Sequence, residues 1–325
     1  MKALRQAITV LSLLCVLFPL HAQTPAALPR VAILHIGTPE TDKERRLDFL
    51  QGLREQGYVD GKNLLLDETF VAGRDARLPE IIVEILGRKP AVLVVGGSQS
   101  VRAAKTATAT VPIVVYSVAD PVGQGIVPSL SRPGGNITGI AILSEILIAK
   151  RVEILLEVVP NARRIAYLAN PKNPVMTALA NVASTAAKRL GATVTVVKAS
   201  NEAEIEEALK GITRRRFDAV LMSGDVTAFT NRKMIAELLA LNRVPAMHGF
   251  AENVDAGGLM SYSAGRGSSR HSATFVSRIL KGAKPGDLPF EQPTQMELVL
   301  NVKAAKNLGI TFPLTVLLRA DRVIE

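Results

Sequence analysis

The sequence predicts an α/β protein of two doubly wound parallel-sheet lobes joined by a hinge. Three observations carry this expectation. Val- and Ile-rich runs without polar alternation recur along the chain, as strands buried on both faces do. Most runs are followed by a segment with apolar residues at helical spacing. The strand–helix alternation then starts afresh after residue 142, which makes two such units.

In the first unit, Arg30–Ile36 (RVAILHI) reads as a buried strand. Leu47–Gln56 reads as a helix, with Leu47, Leu50 and Leu53 on one face and Gly57 closing it. Asn63–Phe70 is a strand and Leu78–Leu86 a helix that aligns Leu78, Ile81, Ile82 and Ile85. Ala91–Val95 is a strand ending in Gly96-Gly97-Ser98, followed by a helix over Val101–Ala109 and strands over Pro112–Tyr116 and Ile137–Ile142.

The second unit opens with helix Lys150–Val158 and strand Arg164–Ala169. It continues through helix Val175–Leu190, strand Thr193–Lys198, helix Glu202–Gly211 and strand Asp218–Met222. Helix Thr230–Leu241, strands Val244–Met247 and Leu259–Tyr262, and helix Gly265–Leu280 come next. After a Pro-rich stretch, Lys284–Pro293, strand Met296–Asn301 leads into a helix ending near Gly309. No flexible linker separates the units, so a cleft between lobes is the expected binding place.

The N-terminus reads as a cleavable secretory signal. Lys2 and Arg5 precede an apolar run from Ala7 to Leu20, and Leu20-His21-Ala22 offers a cut site. The run falls short of the roughly 20 residues that span a bilayer comfortably. Cys15 lies inside it, after Leu13 and Leu14 where a lipid-attachment signal wants small residues, so it reads as core of the signal. Cleavage after Ala22 removes the only cysteine of the 325-residue chain. The mature protein then has no thiol, which excludes disulfides, Cys-ligated metals and thiol nucleophiles. The net charge of +10 falls to +8 as Lys2 and Arg5 leave. The remaining cations are scattered among acids, Arg214-Arg215-Arg216 is short, and aromatics make up 4% with no Trp. Nucleic acid is therefore not an expected partner.

In open parallel sheets, ligands bind beyond the carboxyl ends of strands. That rule selects His35–Pro39, Gly96–Ser100 and Ser117–Pro121 in the first unit. In the second it selects Asn170-Pro171, Ser223–Thr227 and His248–Phe250 with Glu252. Gly96–Ser100 is the best anion cradle, because glycine permits close backbone approach and a helix start offers free N–H groups. Ordinary turn chemistry explains the same residues as well. Asp120 and Asp225 can each hold a ligand ammonium or cap a helix. If Asp225 holds an ammonium in a buried cleft, Asp225→Ala should weaken such a ligand by about 2–5 kcal/mol. His35 and His248 end strands, where packing or hydrogen bonding is commoner than catalysis. Tyr116, Phe250 and Tyr262 can wall a pocket or fill core.

Enzyme motifs are missing. The chain has no G-x-S-x-G before a helix, no H-E-x-x-H, no P-loop, and no G-x-G-x-x-G after the first strand. Only His35, His248 and His271 remain after the signal, too few for a histidine metal cluster. A Ser/His/Asp triad assembles through space and stays open. No catalytic residue, metal or cofactor is expected.

Several segments together resemble a family of ABC-transporter substrate-binding proteins. Phe49–Asn63 (FLQGLREQGYVDGKN) is similar to the family's opening pattern F-x-x-G-L-x-E-x-G-Y-x-x-G-x-N. Asp120-Pro121-Val122, Arg132–Gly139 (RPGGNITG) and Asn170–Pro174 (NPKNP) match later signatures. So do Glu252–Tyr262, Leu280–Ala283 and Leu288–Pro293 with Thr294, and the similarity runs from about residue 30 to the C-terminus. The resemblance implies a type I periplasmic binding protein fold, with two lobes closing on a small ligand. It implies a first lobe of 28–142 plus 263–289 and a second of 143–262 plus 290–325. Relatives of this kind bind tryptophan, tyrosine or phenylalanine. His248 in place of a more usual Tyr, and Ser263-Ala264 in place of Gly-Pro, are departures near the expected cleft.

The expected function is the periplasmic solute-binding component of an ABC importer, without enzymatic activity. Its ligand is a small carboxylate-bearing molecule, an aromatic or other amino acid among the options. The expected ligand-binding residues are Gly97, Ser98, Gln99, Ser117, Asp120, Asn170, Ser223, Asp225, His248, Phe250 and Tyr262. The expected partners are that small molecule and an ABC permease with its ATPase, the chain itself being monomeric. A ligand-sensing periplasmic receptor domain is the alternative on the same fold, and a secreted hydrolase comes third.

Overall fold

The computed structural model describes residues 27–265, 267–293 and 295–325. The expected signal peptide lies outside the described residues. In chain order the first half contains β1 (Arg30–His35), α1 (Lys43–Glu55), β2 (Leu65–Phe70), α2 (Leu78–Gly87) and β3 (Val92–Gly96). α3 (Ser98–Ala107), β4 (Ile113–Ala119) and β5 (Ile137–Ile142) complete it. The second half begins with α4 (Ser144–Val158), β6 (Arg164–Ala169), α5 (Pro174–Arg189), β7 (Thr193–Lys198) and α6 (Glu202–Gly211). β8 (Ala219–Met222), α7 (Val226–Thr230), α8 (Arg232–Leu241), β9 (Ala246–His248) and α9 (Ala251–Asp255) follow. The chain ends with β10 (Met260–Ala264), α10 (Gly267–Leu280), β11 (Met296–Asn301), α11 (Val302–Leu308), α12 (Leu314–Leu317) and β12 (Arg322–Ile324).

These elements build two sheets, ordered β2-β1-β3-β4-β5 and β12-β11-β10-β9-β8-β6-β7. The first is parallel throughout. Of its central strands β3 is buried throughout and β4 is buried except at Ser117 and Ala119, in keeping with their apolar sequences. α2 and α3 cover one face, α1 and α10 the other. The second sheet is clad by α4, α5, α11 and α12 on one side and by α6 and α8 on the other.

The chain passes between the lobes after Ile142, after Ala264 and after Glu291, which still bridges Ile140 of β5. That last return explains a departure from the all-parallel expectation. β10 leaves the second lobe, α10 packs on the first, and β11 comes back alongside β10 in the antiparallel sense. A further strand, β12, pairs with the outer edge of β11. The helix expected over 230–241 is α8, and the short α7 precedes it, the two meeting at Asn231, whose side chain donates to the carbonyl of Thr227 (2.9 Å).

Two irregularities in the first sheet position the site. The register of β4 shifts on both sides around Tyr116 and Ser117. Such a bulge re-aims side chains at a strand end. Gly97, at φ +79°, turns the chain from β3 into α3, and its N–H donates to the carbonyl of Ser117 (2.8 Å). A Cβ at Gly97 would come within 2.9 Å of Val226 from the other lobe, so glycine is what lets the lobes meet here.

Candidate ligand-binding cleft

The carboxyl ends of both sheets face one another across a cavity of about 150 Å³. Gly97, Ser98, Tyr116 and Ser117 line it from the first lobe. Gly224, Val226, Phe229, Gly249 and Phe250 line it from the second, with Leu147, Arg151, Asn173 and Met176 from α4 and the start of α5. α3 begins at Ser98, so its first N–H groups have no carbonyl ahead of them in the helix and point toward the cleft end of the sheet. Ser98 is buried, and its Oγ accepts from Gln124 Nε2 (2.9 Å).

Arg45 of α1 reaches across the cleft mouth. Its guanidinium lies 5.4 Å from the Tyr116 ring centroid and 4.5 Å from that of Phe229. It also stands 3.7 Å from Asp42 and 3.6 Å from Glu252 on α9. Burial pulls its pKa down, and the combined effect of Tyr116, Glu252 and Asp42 outweighs that and raises it above the usual value. Burial pushes the Tyr116 hydroxyl up, against the pull of Arg45. Phe229 meets Phe250 edge-on at 5.3 Å. Arg232 Nη2 donates to the Thr41 carbonyl (3.0 Å), a second polar tie between lobes.

Of the residues selected by sequence, Gly97, Ser98, Ser117 and Phe250 lie on the cavity wall. Gln99 follows Ser98 in α3, and its side chain is off that wall. Asp120 is exposed in a tight turn at φ +38°, where its Oδ1 accepts from the Gly123 N–H (2.9 Å). It lines a neighbouring depression together with Lys172 and Ile146. Ser223 is buried at the end of β8, its N–H donating to the Leu168 carbonyl. Tyr262, in β10, presents its backbone carbonyl to Arg151.

Asn170 and Asp225 form a buried hub behind the cleft. Asp225 Oδ1 accepts from Asn170 Nδ2 (3.0 Å) and from the Thr227 N–H (3.0 Å), capping α7. Its Oδ2 accepts from Asn173 Nδ2 (2.8 Å). The helix-cap role open to Asp225 in the sequence is the one the geometry displays. Asn173 Oδ1 is buried without a hydrogen-bond partner among the described residues, and Asn173 borders the cavity.

His248 ends β9 and faces a separate small groove with Gly257 and Gly258. It is 1% exposed, and burial pulls its pKa down to about 4. The unfolded chain protonates it near pH 6.5 while the folded chain resists, so stability is full above that pH and falls as pH drops toward 4. Between pH 7 and pH 5 the loss should be about 2 kcal/mol. Urea unfolding of His248→Gln should lack that component, and an identical pH dependence in the two proteins would refute the assignment. The depressed carboxylates Glu68 and Asp218, each near 2, act below this window.

Sequence reasoning did not select Arg45, Arg151, Phe229 or Asn173. Arg151 left one trace: it occupies the same face of α4 as Leu147, Ile148, Val152 and Leu155, a charged residue on an apolar stripe.

Two α/β lobes with a ligand-sized cavity at their facing strand ends define the type I periplasmic binding protein class. The chain belongs to the family of ABC transporter substrate binding proteins, whose model matches residues 30–324. It is 23% identical over 281 residues to a tyrosine-binding protein of Clostridioides difficile (strain R20291), covering 84% of this chain and 78% of that one. A conserved domain protein of Vibrio cholerae is similar in structure, with a TM-score of 0.84 and 29% identity over 91% of this chain and 99% of that chain. An ABC domain from Streptococcus pneumonia in complex with L-Trp aligns with a TM-score of 0.85 and 23% identity, over 92% and 100% of the two chains.

Proposed function

We propose that this protein is the exported solute-binding component of an ABC importer and that it captures a small carboxylate-bearing ligand between its lobes. The observation that carries the reading is the cavity itself. It is walled by the strand ends of both sheets, it receives the start of α3, and it has about 150 Å³ of space. Space of that order accommodates a group about the size of one aromatic ring. The amino acids named for two relatives make an aromatic or other amino acid the first class to test.

On this reading the segments after Ile142, Ala264 and Glu291 are the hinge, and closure desolvates the ligand so that few polar contacts suffice. Gly97, Ser98, Ser117 and Phe250 touch the ligand. Asn170, Ser223 and Asp225 support the second-lobe wall from behind. The remaining partners are a permease and its ATPase, and the mature chain acts as a periplasmic monomer without catalysis. No described helix is long and apolar enough to cross a membrane.

The test is a thermal-shift screen of the mature protein, refolded to strip carried-over ligand. The set holds amino acids, aromatic acids, dicarboxylates, sugars and purines, with calorimetry on each hit. Mass action requires a true ligand to stabilise the fold. One-to-one binding of a carboxylate is expected. A folded protein that responds to no carboxylate, or that turns a hit over, would defeat the proposal.

A further inference from the structure

Arg151 is 6% exposed, yet it has no acidic partner among the described residues. Its Nε donates to the Tyr262 carbonyl (2.6 Å) and its Nη2 to the Gly249 carbonyl (2.9 Å). Both acceptors are neutral. Nη1 makes no hydrogen bond among the described residues, and the side chain borders the cleft. On that side stands Gly224, where a Cβ would pack against Nη1 in van der Waals contact at 3.8 Å, so that the lack of a side chain there leaves the nitrogen uncovered. Arg45, the other arginine on the cavity wall among the described residues, has Asp42 and Glu252 for company.

A buried charge without a counter-ion is costly, and the cost appears as a pKa pulled down by burial to about 10. An incoming anion would remove that cost. The two carbonyls occupy Nε and Nη2 and fix the plane of the guanidinium, which leaves Nη1, on a side chain that lines the cavity, as a donor for a carboxylate.

We propose that Arg151 is the specificity-determining residue of the cleft and pairs directly with the ligand's carboxylate. The proposal rests on the reading of the cleft as a solute site. It differs from that reading in placing the anion on a second-lobe side chain, with the start of α3 as a secondary contact. Ligand discrimination then resides in charge at one end of the cavity, and the aromatic wall of Phe229 and Phe250 accepts the rest of the molecule.

The experiment is calorimetry on wild type, Arg151→Lys and Arg151→Met. The probes are three matched pairs: L-tryptophan and its amide, L-tyrosine and its amide, and benzoate and benzamide. Wild type should prefer the acid of at least one pair by roughly 100-fold. Arg151→Met should erase that preference by weakening the acid and sparing the amide, and Arg151→Lys should keep part of it. A purely structural Arg151 would weaken acid and amide equally. Acid-to-amide ratios unchanged in Arg151→Lys and Arg151→Met overturn the proposal and leave the solute site standing. If Arg151→Met does not fold, the ratio in Arg151→Lys decides alone. Wild type that binds none of the six probes overturns the proposal, while the wider reading of the cleft as a solute site stands or falls on the carboxylate screen.

Discussion

Gly139→Ala should destabilise the protein by about 4 kcal/mol or more, the largest single-residue effect expected in this chain. Gly139 lies in β5 with φ +141°, a conformation that residues with a Cβ avoid. Its neighbour across the ladder is Val115 of β4, and an added Cβ would sit 2.1 Å from the Val115 carbonyl oxygen. That atom is backbone in a buried strand, so no rotamer change relieves the overlap. The two strands must separate just where β4 bulges to present Tyr116 and Ser117. Urea unfolding measures the loss, and a variant within 1 kcal/mol of wild type would show that the β4–β5 contact yields more easily than this packing implies.

Asp225→Ala should lose about 3 kcal/mol of stability. Roughly 1 kcal/mol is the N-cap bond from the Thr227 N–H, and the remainder comes from the Asn173 amide left buried without an acceptor and the Asn170 amide left with Thr227 Oγ1 alone. Asp225→Asn should cost far less. A new amide at that position can be met by Asn173 turning its unpartnered Oδ1 around, which exchanges donor for acceptor at the same site. The pair separates two roles. A carboxylate that only held a ligand ammonium would leave urea unfolding unchanged in both variants and show its effect in affinity. The hub geometry predicts a large stability loss in the alanine variant and a small one in the asparagine variant.

The lobes were legible because their strands are uninterrupted Val and Ile runs, a pattern that needs only local sequence. The antiparallel β10–β11 pair was not, since it depends on α10 packing against the opposite lobe before the chain returns. α4 begins at Ser144, earlier than the expected Lys150, because residues 144–149 form the helical turn next to the crossing. The rule that ligands gather at strand ends led to Gly97, Ser98, Ser117 and Phe250. It says nothing of side chains projecting from helix interiors. Arg45 reaches the cleft from the first turn of α1 and Arg151 from the middle of α4, and only the tertiary arrangement reveals which face of each helix looks inward. Asp225 was ambiguous for a physical reason: the same position serves a helix cap or a ligand contact, and the partners that decide between them, Asn170 and Asn173, lie more than fifty residues away in sequence.

The measurement that bears most directly on solute capture is a crystal structure of the protein with the tightest-binding carboxylate from the screen. The account predicts one molecule enclosed between the lobes, touching Ser98 and Phe250, with its carboxylate on Arg151. A ligand seated on one lobe alone, or outside the cavity, would contradict it.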